Sequence, residues 1–170
     1  MSVFSTSLST KNVSLLLENE QVNSSLPIRF TIPKISVDAS IEYVGLTPLG
    51  AMDVPKGPSN VAWFELGTTP GDVGSAVMAG HYGWKGNVPA VFDDLNKLQK
   101  GDKVYVKNTK GESVTFVVRL IKTYGENADA GDVFSSSDGK SHLNLVTCEG
   151  LWNEAKKGRP SRLIVFTDRE

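Results

Sequence analysis

One cysteine and two histidines are all that this chain of 170 residues offers of the strongest nucleophile and the commonest acid/base. A single thiol excludes an intramolecular disulfide framework and any cysteine-rich zinc site. No H-x-x-x-H pair or Cys/His cluster suggests a catalytic metal, and no G-x-G-x-x-G or phosphate-loop pattern occurs among the glycines. No apolar stretch approaches the ~20 residues needed to span a bilayer. No basic segment followed by an apolar one marks a signal peptide. Charge of either sign is not in excess: 18 Lys and Arg stand against 19 Asp and Glu, for a formal net charge of -1. The basic residues are scattered, so nucleic-acid binding has no electrostatic footprint.

What is present is enough chain for one domain with a real core. Residues 1–25 are rich in Ser, Thr and Asn and read as a linker or stalk, with Val13, Leu16 and Leu17 at the spacing of a short helix. Residues 26–170 read as one folded domain. Short β-type runs follow one another: 28–32, 35–37, 40–44, 60–64, 75–79, 103–107, 113–121, 143–147 and 162–167. Gly, Pro, Asn and Asp punctuate the gaps. Many short strands at close intervals indicate a mainly β barrel or sandwich. The runs 103–107 and 113–121, joined by NTKGE, read as a hairpin. In PAVFDDLNKLQKG, Val91, Leu95 and Leu98 stand at i, i+4 and i+7, with a proline early and Gly101 at the end, which predicts a helix over 89–101.

Cys148 ends the run LNLVTC and is followed by Glu149 and Gly150, so it stands on a rigid strand end. A lone cysteine is commonly a buried packing thiol; the strand end favours an exposed, reactive one. His81 follows AVMAG at the end of another strand pattern. His142 shares strand parity with the cysteine but precedes it by six residues, about 20 Å in an extended strand, so His81 is the better acid/base. Arg162 opens the final run RLIVF; it reads either as an edge-strand gatekeeper or as a donor to a developing oxyanion. Arg159, before Pro160, competes for that role from the connecting loop. Glu126, Asp129, Asp132 and Asp138 lie in one polar segment that can bind a structural Ca²⁺ weakly, although such carboxylates are more often simply solvated.

The cysteine, histidine and arginine together resemble the sortase family, the cysteine transpeptidases of bacterial cell surfaces. The resemblance runs from Pro27 to the C-terminus. The family's T-L-x-T-C motif is matched by NLVTC at Leu145, Thr147 and Cys148, with Asn144 in place of the first Thr; its G-H segment is matched by Gly80 and His81; its arginine at the start of the last strand is matched by Arg162. The blocks IPKISVDASIEYVGLTPLGAMDVPK, VAWFELGTTPGDVGSAVMAGH and PAVFDDLNKLQKGDKVYV look most like class F, with classes D and E as neighbours.

The resemblance implies an eight-stranded β-barrel with one or more short helices. It implies that Cys148 attacks the threonine carbonyl of an LPxTG-like sorting signal, that His81 protonates the departing glycine amine, and that Arg162 stabilises the oxyanion. An amine of the cell wall or of a pilin then takes the acyl group, with no cofactor. Val146 and Thr147 are expected to line the peptide groove, with residues 127–140 as one wall. The native enzyme is expected at the extracytoplasmic face, tethered by a membrane anchor.

Overall fold

The computed structural model describes residues 25–170. The linker reading of the N-terminal residues and its short helix at Val13–Leu17 lie outside the described residues. Eight strands form a closed barrel in the order β1-β2-β3-β4-β7-β8-β6-β5. They are β1 (Pro27–Ile32), β2 (Val37–Val44), β3 (Val61–Phe64), β4 (Gly74–Ala79), β5 (Lys103–Asn108), β6 (Ser113–Gly125), β7 (Ser141–Glu149) and β8 (Ser161–Arg169). β2 pairs with β3, and β4 with β7, in parallel; the other neighbours are antiparallel. Closure removes the exposed edges that a short-stranded sheet would otherwise present.

Alternation along the strands fills the barrel. Phe30, Ile32, Met78, Val104, Phe116, Leu143 and Leu145 are fully buried inside it. A second apolar cluster, built from Val77, Tyr124, Val133, Ile164 and Phe166, lies outside the barrel wall, with Met52, Phe64, Ala130 and Val146 half-buried beside it. The segment between β6 and β7 covers that face. It contains one helical turn, α1 (Gly131–Phe134), whose Val133 carbonyl accepts a hydrogen bond from Asn144 Nδ2 at 2.7 Å. β7, covered on both faces, is therefore buried almost without a break from His142 to Thr147, its polar His142, Asn144 and Thr147 included.

Two expectations from the sequence are corrected. The run 35–37 is not a separate strand. Pro33–Ile35 forms a 3₁₀ turn, Ser36 takes a left-handed conformation at φ 55°, and β2 begins at Val37. Proline has a fixed φ and no N–H, which suits the first position of such a turn. The helix over 89–101 is also absent, and only Leu95–Lys97 forms a 3₁₀ turn. The local backbone bonds run i→i−3 and not i→i−4: Asp93 N–H donates to Ala90 O, Leu95 N–H to Phe92 O and Lys97 N–H to Asp94 O, and the donors ahead of them are anchored by other partners. Val91 N–H donates to Pro58 O, Phe92 N–H to His81 O, and Ala90 N–H to Asp93 Oδ2. Leu95 and Leu98 are buried all the same, so the apolar spacing marked core contacts and not helix.

Candidate active site

Strand register brings the candidate residues together. In the β4–β7 pair Val77 stands beside Asn144 and Ala79 beside Val146. Gly80 N–H continues the ladder by donating to Val146 O at 3.1 Å. Cys148 is the next outward position of β7, and His81 lies two residues past the end of β4. On the other side of β7, Val146 pairs with Ile164 and Cys148 with Arg162. Directly opposed residues in an antiparallel pair have Cβ atoms about 4.5–5.5 Å apart. Ala79, Val146 and Ile164 thus stand side by side on three adjacent strands; Cys148 and Arg162 follow on β7 and β8, and His81 follows just past the end of β4. All three active side chains line one cleft of ≈ 1090 Å³.

Backbone contacts fix each side chain. Cys148 is half-buried and precedes the last residue of β7. Glu149 Oε2, one residue on, accepts a hydrogen bond from Thr123 Oγ1 at 2.7 Å. Gly150, at φ 92°, turns the chain away from the strand; a Cβ there would stand 2.8 Å from Pro160 Cγ. Gly80 is required for a different reason, because a Cβ on it would meet Phe92 Cδ2 at 2.5 Å. The histidine can follow its strand this closely over the barrel end only with glycine in front of it.

His81 Nε2 lies 2.7 Å from Pro55 O. A carbonyl only accepts, so Nε2 carries hydrogen and the neutral ring keeps its lone pair on Nδ1; the network assigns this tautomer. Trp84 packs edge-to-face on the ring at 4.8 Å. Arg162 Nη1 donates to Arg159 O and Ser161 O, each at 3.0 Å, which holds the guanidinium at the head of β8. A half-buried thiol, an oriented imidazole and an anchored guanidinium at one cleft have the composition needed for acyl transfer: nucleophile, proton carrier and oxyanion donor.

The other sequence candidates fall differently. Thr147 is buried, and its hydroxyl donates to Gly80 O at 2.8 Å. Its expected contact with bound peptide is corrected: the donor is already used inside the fold. Val146 is half-buried in the outer apolar cluster, and residues 130 and 133 of the 127–140 segment pack in the same cluster. His142 is buried at the far end of β7, with Nδ1 2.7 Å from Asp168 Oδ1 and Nε2 3.0 Å from Asp138. The hydrogen bond from His142 and the Lys140 N–H hold the Asp138 carboxyl below its ordinary range. The carboxylates of the polar segment do not converge on a cation. Glu126 pairs with Lys156, Asp129 accepts from Gly131 N–H, and Asp132 accepts from Tyr124 OH. Among the described residues no group of His, Cys, Asp or Glu is arranged to hold a metal ion.

Two features of the cleft were missed from sequence. Asp93 accepts hydrogen bonds from Gly83 N–H at 2.7 Å and Ala90 N–H at 2.9 Å, which shapes the loop after His81. It lies within the 89–101 window, which the apolar spacing marked as helix instead. Arg159 stacks over the Tyr82 ring at 4.7 Å and donates to Gly150 O, so it joins the loop after the histidine to the turn after the cysteine. An HYGW sequence beside a candidate histidine was the available signal.

Comparison with known proteins places these features. A Sortase domain family model matches residues 30–170. Solved structures with the same fold include sortase C-1 from Streptococcus pneumoniae, at 27% identity over 84% of this chain and 66% of that one, with a TM-score of 0.65. Sortase C1 from Streptococcus agalactiae is 24% identical over 84% of this chain and 66% of that one, with a TM-score of 0.66. Sortase A from Corynebacterium diphtheriae is 19% identical, covering 99% and 72%, with a TM-score of 0.65. The chain therefore spans slightly under two thirds of the streptococcal enzymes' length. No curated protein matches the sequence. Matched by the family model through the whole barrel, from Phe30 in β1 to its last residue, the chain belongs to the sortase family.

Proposed function

We propose that this sortase is a cysteine transpeptidase acting on an LPxTG-like sorting signal. Cys148 Sγ attacks the threonine carbonyl, and a C–S bond forms. Arg162 donates hydrogen bonds to the oxyanion. His81 gives a proton to the glycine nitrogen as the C–N bond breaks, leaving a thioester on Cys148. An amine then attacks that thioester, a C–N bond forms and the C–S bond breaks, His81 accepts the amine proton, and Cys148 leaves as thiolate. The observation that carries this reading is that Cys148 and Arg162 pair directly across β7 and β8, and that His81, two residues past the end of β4, lines the same cleft.

The half-buried apolar group of Met52, Phe64 and Val146, on the same outward face as Cys148, suits the leucine and proline of the signal. Ala130 and Val133 of the covering segment form the wall of that groove. The class F assignment rests on the resemblance of the sequence blocks; the structural neighbours named above are sortases of the C and A types. No helix among the described residues is long and apolar enough to cross a membrane. We place the catalytic domain at the extracytoplasmic surface of a Gram-positive-type cell, tethered by an anchor preceding it, with surface proteins as substrates and a peptidoglycan or pilin amine as acceptor. The chemistry needs no cofactor.

The test is incubation with an LPxTG-type peptide and a glycine-based amine. A ligated product that disappears in Cys148→Ala supports the proposal. Cleavage indifferent to the amine would instead mark a hydrolytic peptidase. Peptide binding with neither cleavage nor ligation, unchanged in Cys148→Ala, would mark a non-catalytic peptide-binding module.

A further inference from the structure

We propose that the cleft beyond Cys148 selects acceptor amines whose body carries an anionic group. The inference deepens the transpeptidase reading of this site and rests on it. The apolar, half-buried side of Cys148 is the Val146 side, where the acyl half of the substrate belongs. His81 gives its proton to the leaving amine and takes one from the entering amine. Both amines therefore meet the carbonyl from the His81 side, which opens into the cleft past the ends of β4 and β7.

The lining of that cleft is not neutral. Lys85, Lys157, Arg159 and Arg162 face it, against Asp93 and Glu154, in a chain whose overall charge is -1. Both acids are already engaged. The Asp93 oxygens accept backbone N–H groups of Gly83 and Ala90. The Glu154 oxygens accept from Trp152 Nε1 and Lys157 Nζ, each at 2.9 Å. Lys85 makes no salt bridge among the described residues. A bare ammonium gains nothing from this lining and is repelled by its surplus cations. An amine whose body carries a carboxylate or a phosphate is attracted, and it can rest against Trp84 and the half-exposed Trp152 at the mouth.

The step selected is aminolysis. The neutral amine nitrogen attacks the thioester carbonyl, a C–N bond forms and the C–S bond breaks. The sulfur leaves with the electron pair as Cys148 thiolate, and the amine proton passes to His81.

The experiment compares triglycine with triglycinamide as acceptors for the thioacyl enzyme made from an LPxTG-type peptide. The two differ only in the terminal charge. Exposed charge pairs are weak, so the expected KM for triglycine is about three- to tenfold lower, with kcat nearly equal. The difference should shrink at raised salt and in Lys85→Gln and Lys157→Gln. A third arm, 2-aminoethyl phosphate, separates the sources of the anion. A lower KM than triglycine points to a phosphate-bearing precursor, and a higher one to a peptide carboxylate. Normal formation and hydrolysis of the thioacyl enzyme with triglycinamide equal or superior to triglycine overturns this inference and leaves the transpeptidase reading standing. Failure to form the thioacyl enzyme overturns both.

Discussion

Thr147 Oγ1 donates a hydrogen bond to Gly80 O at 2.8 Å, joining the residue before the cysteine to the residue before the histidine. The two positions are 67 residues apart in sequence. With Gly80 N–H on Val146 O, it extends the β4–β7 ladder past the formal end of β4. The separation of Cys148 and His81 is thereby set by a hydrogen bond buried behind the cleft.

Thr147→Val keeps the shape and β-branching of the side chain but deletes this donor. The Gly80 carbonyl is left unpaired in a buried place, at a cost of about 1–3 kcal/mol in denaturant unfolding. Turnover of a sorting-signal peptide should fall more steeply than this loss of fold explains, and Thr147→Ser should restore much of it. Full activity in Thr147→Val would refute the positioning role.

Gly80→Ala is expected to be worse. Its methyl would stand 2.5 Å from Phe92 and 2.7 Å from Val91, both packed against the barrel core. Overpacking of this kind costs about 1–3 kcal/mol, and relief by backbone movement displaces His81. Thermal unfolding and peptide cleavage should both decline.

Among the basic and imidazole groups, His81→Ala should abolish ligation, while His142→Ala should leave the chemistry largely intact and lower stability. Arg162→Ala should reduce kcat by about 10²–10³, as for loss of an oxyanion donor. Comparable losses for both histidines in steady-state kinetics would defeat the assignment of roles.

A methanethiosulfonate reagent should label Cys148 in the folded protein, since the thiol is half-buried and lines an open cleft. Protection until unfolding, read by mass spectrometry, would instead make it a packing thiol.

Acid should loosen the far end of β7. Asp138 has its carboxyl depressed below 3.8, first by the hydrogen bond from His142 and next by the Lys140 N–H. A group whose folded pKa is lowered adds stability above its unfolded pKa, and that stability disappears as pH falls through the folded value. The melting temperature of Asp138→Asn should therefore lie below that of the parent at about pH 5 and converge with it as the pH falls through the depressed folded value. A gap that persists in strong acid would exclude the ionic origin.

The strands were legible because a barrel wall imposes a period of two on short segments bounded by turn residues. β5 and the first half of β2 show this directly, and the NTKGE hairpin closes β5 on β6 as its composition suggests. The helix over 89–101 was misread because periodicity reports which side chains are buried and not where backbone donors go. Pro58 O and His81 O lie outside that window. The run 35–37 was misread because a proline turn and a left-handed serine interrupt an apolar pattern that looks continuous.

The types of group available for chemistry were fixed by the order of residues alone: one thiol, two imidazoles, and an arginine at the head of the last run. The resemblance of NLVTC and Gly80–His81 to a known motif named the roles. Which histidine meets the cysteine was settled by folding, through the parallel pairing of β4 with β7 at Ala79 and Val146 and the antiparallel pairing of Cys148 with Arg162. Such pairings are long-range choices made by barrel closure and core packing. A local pattern contains the side chains but not the neighbours against which they will be placed.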